Sequence, residues 1–292
     1  TVLTMTVVPI LGAGSSMADY RIGFKWWALI IAVVFVISEL VCVACVPERP
    51  VACDEKPGKI SDMFKALFKN DQAMTVVVSI ILVYTSLNIC GNLVLYFFRF
   101  DVGNEGAYSI FAAVAFAAQV LVMMVIPLLR KRFSKSQLFI SGFIIQIAGF
   151  AVILIMAFAK LYTPQSWYIL CLPGILIYLG YGMLNVIMTI FLSDSVDYGE
   201  VMNGTREESV IFSMQTFTVK LASGVAVFLA GLVVDWIHLD TAAAVQTQDT
   251  LDALRMWMTI PSVILLIVGI FVFKRFYKLD DARMEEIKSK LN

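Results

Sequence analysis

The sequence predicts an all-α, polytopic membrane protein, and three observations carry that prediction. Hydrophobic residues make up 60% of the 292-residue chain and charged residues only 15%, whereas soluble domains carry about 25% charged residues. The mean hydropathy is +0.86. The charges are confined almost wholly to short segments between apolar runs about 20 residues long, the length of helix that crosses a bilayer while satisfying its own backbone. The 22 basic and 22 acidic residues cancel, so net charge indicates no nucleic-acid or acidic partner; the partner indicated is the lipid bilayer.

The apolar runs place helices at 1–14, 26–46, 73–98, 107–129, 137–159, 166–193, 209–234 and 257–277, eight in all. The first is short for a span and starts without an initiator methionine, a charged flank or a cap. It is therefore expected to begin inside a helix of a longer parent, and no basic n-region or cleavage context marks a signal peptide. After Pro47 and Pro50, the residues Ile60, Met63, Phe64, Leu67 and Phe68 recur at helical spacing, flanked by Lys59, Lys65 and Lys69. That pattern predicts an amphipathic helix lying on an anionic membrane surface. The expected organisation is a partial bundle (1–46), a cytoplasmic connecting loop (47–72), a six-helix bundle (73–277) and a tail (278–292).

Orientation follows from the basic residues. Of the 22, sixteen fall in 47–72, 130–136, 194–208 and the segment from Lys274 onward. Five (Arg21, Lys25, Arg99, Lys160 and Arg255) fall on the opposite side, and Lys220 lies within a span. The positive-inside rule then puts both termini of the chain in the cytoplasm, with the protein multi-pass in the plasma membrane.

Lys220 is the most informative residue. It lies about eleven positions into the 209–234 helix, roughly 16 Å at 1.5 Å per residue, near the middle of a ~30 Å hydrocarbon core. A lysine there costs on the order of 2.5–3.5 kcal/mol to insert, so it faces either a water-filled cavity or a carboxylate on another helix. Ser209, Ser213, Thr216, Lys220 and Ser223 or Gly224 recur in steps of three and four and form one polar stripe, readable as a cavity wall. Asn88 and Asn92 share a face of the 73–98 helix, and Gln119, Gln146 and Asn185 are further amides within spans. Amides suit sugar hydroxyls, which need donors and acceptors together, and they also join helices to one another. Gly174, Gly180 and Gly182 allow close packing or bending of the 166–193 helix. Asp194, Asp197 and Arg206 cluster around a turn and can form an ion-pair latch or a solvated loop. Glu39 lies within reach of the interface. Cys42 and Cys45 have a redox or metal spacing but no further ligands, and His238 is the single histidine; neither a metal nor an organic cofactor is expected.

The run SDSVDYGEVMNGTREESVIFSMQTFTVKLASG, Ser193 to Gly224, resembles the signature of the glycoside–pentoside–hexuronide:cation symporters: D-x-x-D-Y-G-E, a following arginine, and a lysine in the next helix. Gln215, Thr216 and Lys220 in MQTFTVK are similar to the Q-T-x-x-x-K arrangement of its melibiose-permease branch. YFFRFDVGNEG at 96–106, LLRKRFSKSQ at 128–137 and FKRFYKLDDARMEEI at 273–287 add to the likeness. The resemblance implies a bacterial inner-membrane symporter of the major facilitator type, with eight of twelve spans present and the first four missing. It implies transport of a sugar or glycoside with Na⁺, H⁺ or Li⁺ by alternating access. It further implies that Gln215, Thr216 and Asn185 lie near the sugar, that Lys220 couples to the cation site, and that Asp194, Asp197 and Arg206 form a cytoplasmic gate. Asn185 stands where melibiose permease has a tryptophan, which argues against galactoside specificity. Because that family's cation ligands lie on the early helices, the 292-residue chain alone is expected not to catalyse coupled uptake. A non-transporting membrane fragment or sensor of the same fold is the alternative. An intramembrane enzyme fits worst, since no nucleophile–base pair or metal set stands out.

Overall fold

The computed structural model describes residues 7–8, 10–12, 17–45, 68–204, 208–241, 243 and 245–291. The chain divides into two compact units, Thr1–Gly58 and Lys59–Asn292. Among the described residues seven helices are long and apolar enough to cross a membrane, and the protein is a multi-pass, all-α membrane protein. The predicted span at 1–14 lies largely outside the described residues, as does the predicted surface helix up to Leu67.

In the first unit, α1 (Met17–Cys45) begins nine residues before the predicted 26. Every side chain from Ala28 to Cys45 is exposed, and all but Ser38 and Glu39 are apolar, as suits a span surrounded by lipid or by other helices.

The second unit is a bundle of six spans. They are α2 (Asp71–Tyr96), α3 (Ala107–Leu129), α4 (Lys135–Phe158), α5 (Cys171–Asn203), α6 (Glu208–Trp236) and α7 (Gln248–Phe276), followed by the short α8 (Asp281–Leu291). α2 and α5 pack on each other in the middle; α5 is flanked by α3 and α4, whereas α2 is flanked by α6 and α7. α6 therefore sits at one edge of the bundle. The core holds a group of rings, Phe139, Phe143, Phe191 and Phe273, whose centroids stand 4.5–5.2 Å apart in their contacting pairs.

Local chemistry fixes the ends. Ser134 and Gln137 form a reciprocal capping box at the start of α4. The Asn70 Oδ1 accepts from the Ala73 amide at 2.9 Å, and its Nδ2 donates to the Ser195 carbonyl at 2.8 Å. One side chain thus caps α2 and ties it to α5. Gly199 leaves the room, since a Cβ there would lie 2.8 Å from that Nδ2. At the other end α2 widens into a π-turn, Phe97–Asp101.

Several boundaries of this unit differ from the sequence reading, three of them at charged residues. α5 runs ten residues past 193, so Asp194 and Asp197 belong to the body of a helix rather than to a turn. α7 starts at Gln248, nine residues before 257, because the charges that argued against a span there are neutralised within the fold. α4 starts at Lys135, two residues before 137. The glycines of α5 serve close packing: a Cβ on Gly180 would meet the Gly142 carbonyl oxygen at 2.6 Å, and one on Gly182 would meet the Val122 side chain at 2.6 Å. α5 remains a continuous helix through both.

Candidate functional site

α6 presents three distinct faces. Ile211, Thr218, Ala222, Ala226, Ala230 and Val233 are buried. Ser209, Ser213, Thr216, Lys220 and Gly224 are exposed on the opposite side. Phe217, Leu221, Val225 and Phe228 are exposed apolar residues, each one position on from the polar stripe or nearly so, hence rotated from it by about 100°. Lys220 therefore lies on a polar face separate from the exposed apolar one. Among the described residues it has no ion-pair or hydrogen-bond partner.

α2 and α5, with Gln215 of α6, contribute a linked set of polar and aromatic groups. Asn185 on α5 donates from Nδ2 to the Tyr84 hydroxyl on α2 at 2.6 Å. The Tyr84 ring meets Tyr181 edge-on at 5.5 Å, and Tyr181 meets Tyr178 at 6.4 Å. One turn along α5, the Thr189 hydroxyl donates to the Asn185 carbonyl at 3.2 Å and receives a longer contact, 3.4 Å, from Gln215 Nε2 on α6. Asn185, Gln215 and Tyr84 are half-buried, and Thr189 and Thr216 are exposed. The structure thus brings Asn185 and Gln215 together through Thr189, while Thr216, the next residue along α6, is turned about 100° from Gln215 onto the exposed stripe with Lys220. Along α2, Asn88 donates to the Tyr84 carbonyl and Asn92 to the Asn88 carbonyl, both at 2.7 Å. Together these groups offer hydroxyl and amide donors and acceptors beside aromatic faces, the equipment for holding a polyhydroxylated ligand. Gln146 is elsewhere: it is fully buried, its amide lacks a partner among the described residues, and Gly180 packs against its backbone.

Charged groups collect at the two ends of the bundle. At the end carrying the basic turns, Asp194 is buried and pairs with Lys135 at the start of α4, both side chains being 7% exposed. Lys135 also stands 3.4 Å from Asp281 at the start of α8, which Arg130 reaches at 3.3 Å. Burial on its own would raise the Asp281 carboxyl, but the Arg130 hydrogen bond and the charges of Lys135 and Arg130 outweigh it and hold the group below its ordinary value. Burial, with Asp194 and Asp281 nearby, pushes the Tyr277 phenol up. Asp197 is half-buried and engaged, while Arg206 lies outside the described residues. The described partner of Asp194 is therefore Lys135, which sequence reading counted only among the loop cations.

At the opposite end, Arg255 on α7 grips Asp101 on the π-turn of α2 through Nε (2.8 Å) and a terminal nitrogen (2.5 Å), with side chains 4% and 3% exposed. Arg255 also reaches Asp252 at 2.6 Å, and the Tyr162 hydroxyl donates to Asp101 at 2.6 Å. Burial and the hydrogen bond to Asp101 push the Tyr162 phenol up. Asp101, Arg255, Tyr84, Tyr181 and Lys135 were not singled out from sequence. For Tyr84 a signal existed, since it lies four residues before Asn88 on the same helix face.

Known proteins agree with this architecture. The family model described as MFS/sugar transport protein matches residues 1–281. The Uncharacterized symporter YjmB of Bacillus subtilis is 24% identical over 293 residues, covering 100% of this chain and 61% of the relative. The Raffinose carrier protein of Pediococcus pentosaceus is 23% identical, covering 99% and 45%. The Isoprimeverose transporter of Lactiplantibacillus pentosus is 25% identical, covering 95% and 56%. The chain thus spans about half the length of the curated relatives it matches. These are transporters and not enzymes. With the family model covering nearly the whole of a chain made of membrane-length helices, the protein belongs to the MFS/sugar transport protein family.

Proposed function

We propose that the protein is a sugar:cation symporter working by alternating access, and that the polar face shared by α2, α5 and α6 forms part of its transport path. The observation that carries this reading is the position of Lys220, on one exposed stripe with Thr216 and five residues along α6 from Gln215, which reaches Thr189 beside Asn185, and apart from the exposed apolar face of α6. A mid-span cation on such a face implies a hydrated route beside it. Asn185, Gln215 and Thr216 contact the sugar. Lys220 couples sugar movement to Na⁺, H⁺ or Li⁺, its ammonium responding to the coupling ion and its carboxylate ligands. Asp194 and Asp197, with Arg206, belong to a gate at the cytoplasmic end, where breaking and remaking ion pairs accompanies opening. The names of the relatives, including raffinose carrier, isoprimeverose transporter and lactose permease, favour a glycoside as substrate. A bacterial inner membrane with the basic turns inside completes the proposal.

The test is uptake into proteoliposomes holding the protein made from its full reading frame. Radiolabelled raffinose, isoprimeverose and lactose are offered under an imposed Na⁺ gradient, a Li⁺ gradient or a pH gradient. At least one sugar is expected to accumulate above its equilibrium level under one gradient, and Lys220→Leu is expected to bring it back to equilibrium. Undiminished gradient-driven accumulation by Lys220→Leu overturns the coupling role.

A further inference from the structure

A crevice of about 250 Å³ opens between α2 and α6, lined by Asn92 and Tyr96 on one side and by Val227, Ala230, Gly231 and Val234 on the other. It lies toward the end of the bundle away from Lys135 and Asp194, about 12 Å along α2 from Tyr84 at 1.5 Å per residue. Two features separate it from an ordinary gap between spans. Val227 and Gly231 stand seven and eleven residues after Lys220, two and three helical turns, so these two residues of its α6 wall, though apolar, lie on the side of the helix that carries Lys220 rather than on the face of Phe217 and Leu221. Its α2 wall continues a polar row, because Tyr84, Asn88, Asn92 and Tyr96 follow one another at four-residue steps, and the Asn88 and Asn92 amides are oriented by the 2.7 Å bonds to the carbonyls behind them. A Cβ placed on Gly231 meets nothing within 4 Å, nor does one on Gly224, so the glycine leaves open space beside Asn92.

We infer that this crevice is a second sugar subsite, which takes one pyranose ring on its way between the end of the bundle and the Tyr84–Asn185 contacts. The inference rests on the sugar-transport reading above. The Asn92 amide supplies a donor and an acceptor for vicinal hydroxyls, and the Tyr96 ring, stacked on Phe100 at 6.5 Å, supplies an apolar surface for the C–H face of the ring. The volume is below the ~300–1,000 Å³ of pockets that bury drug-sized ligands, so the crevice holds one ring of a glycoside at a time, with the rest of the sugar outside it. The occupant is transient: the site is open and has one amide, which suits capture and release rather than tight retention.

The test uses the protein from its full reading frame in proteoliposomes, with the sugar from the same panel that the wild type accumulates. Gly231→Leu places a side chain where a Cβ meets nothing within 4 Å, and Asn92→Leu removes the amide. Each is expected to raise the half-saturating sugar concentration about ten-fold, with the maximal rate within two-fold of wild type. A half-saturation unchanged in both variants overturns the subsite. Where Gly231→Leu does not reach the membrane, Gly231→Cys in a background with the native cysteines replaced by serine decides the matter through alkylation by a maleimide. Sugar at ten times its half-saturating concentration is expected to slow labelling at least five-fold, and a rate indifferent to sugar overturns the proposal. Absence of saturable uptake of any panel sugar by the wild type overturns the sugar-transport reading itself, and this inference with it.

Discussion

Arg255 shows how an ionic side chain can sit within a span. Its guanidinium is shared between Asp101 and Asp252, and the Tyr162 hydroxyl gives Asp101 a further donor. Two charges removed from water attract strongly at low dielectric, but much of that attraction offsets their desolvation, so the pair as a whole adds little. Removing one member is a different matter, because the other is left buried and uncompensated. Arg255→Leu or Asp101→Leu is therefore expected to cost about 3–5 kcal/mol, and the double variant distinctly less than the sum of the two. Unfolding of the detergent-purified variants measures both, and additive losses would mean that the pair does not act as a unit. Lys220 is the converse case, a cation with no partner among the described residues: the fold neutralises Arg255 and leaves Lys220 on a polar face.

At the scale of elements, the α4–α5 crossing depends on small residues. A Cβ on Gly180 would come within 2.6–2.7 Å of the Gly142 carbonyl and the Gln146 backbone, neither of which can rotate away. Gly180→Val is expected to destabilise by at least the 1–3 kcal/mol typical of overpacking, read as a lower melting temperature, whereas Gly224→Val, where a Cβ meets nothing, leaves the melting temperature nearly unchanged. The α8 helix depends on charge as well as packing. Leu279, Met284 and Ile287 bury together, and Asp281 holds Arg130 and Lys135. Because the folded carboxyl titrates below its ordinary value, its contribution is complete above the ordinary carboxylate pKa of about 4 and is lost as pH falls through the lower folded value. The protection factors for hydrogen exchange in 281–291, taken against the unstructured rate at each pH, are expected to fall below about pH 4, and Asp281→Asn is expected to show the lower protection already at pH 7. The six spans of the second unit were legible from apolar runs alone, since each must present about 20 apolar residues to lipid. Their ends were less so. Asp194 and Arg255 looked like markers of a boundary because sequence shows their charges but not the partners, 59 and 154 residues away, that let the helices continue through them. The polar stripe of α6 was legible for the same reason as the spans, periodicity within one helix; the Tyr84–Asn185 contact joins residues 101 positions apart and was not.

For the molecule as a whole, the remaining question of physical orientation has a direct answer in charge. The basic turns 130–133 and the α8 tail lie at one end of the second unit, where Lys135, Arg130 and Asp281 meet; Lys160 and the Asp101–Arg255 pair mark the other. Translocating a turn that carries Arg130, Lys131 and Arg132 against the membrane potential is costly, about 2.3 kcal/mol per charge per 100 mV, whereas the 159–166 turn carries a single lysine. The first turn is thus expected to stay in the cytoplasm and the second to cross. Lys131 and Lys160 are both exposed, which makes them matched reporters. In intact cells, Lys160→Cys is expected to react with a membrane-impermeant maleimide, and Lys131→Cys only with a permeant one or after the cells are opened. The reverse pattern would turn the bundle over, and with it the assignment of the Asp194 end as the cytoplasmic gate; labelling of both sites from outside would show instead that the helices between them do not span as a set.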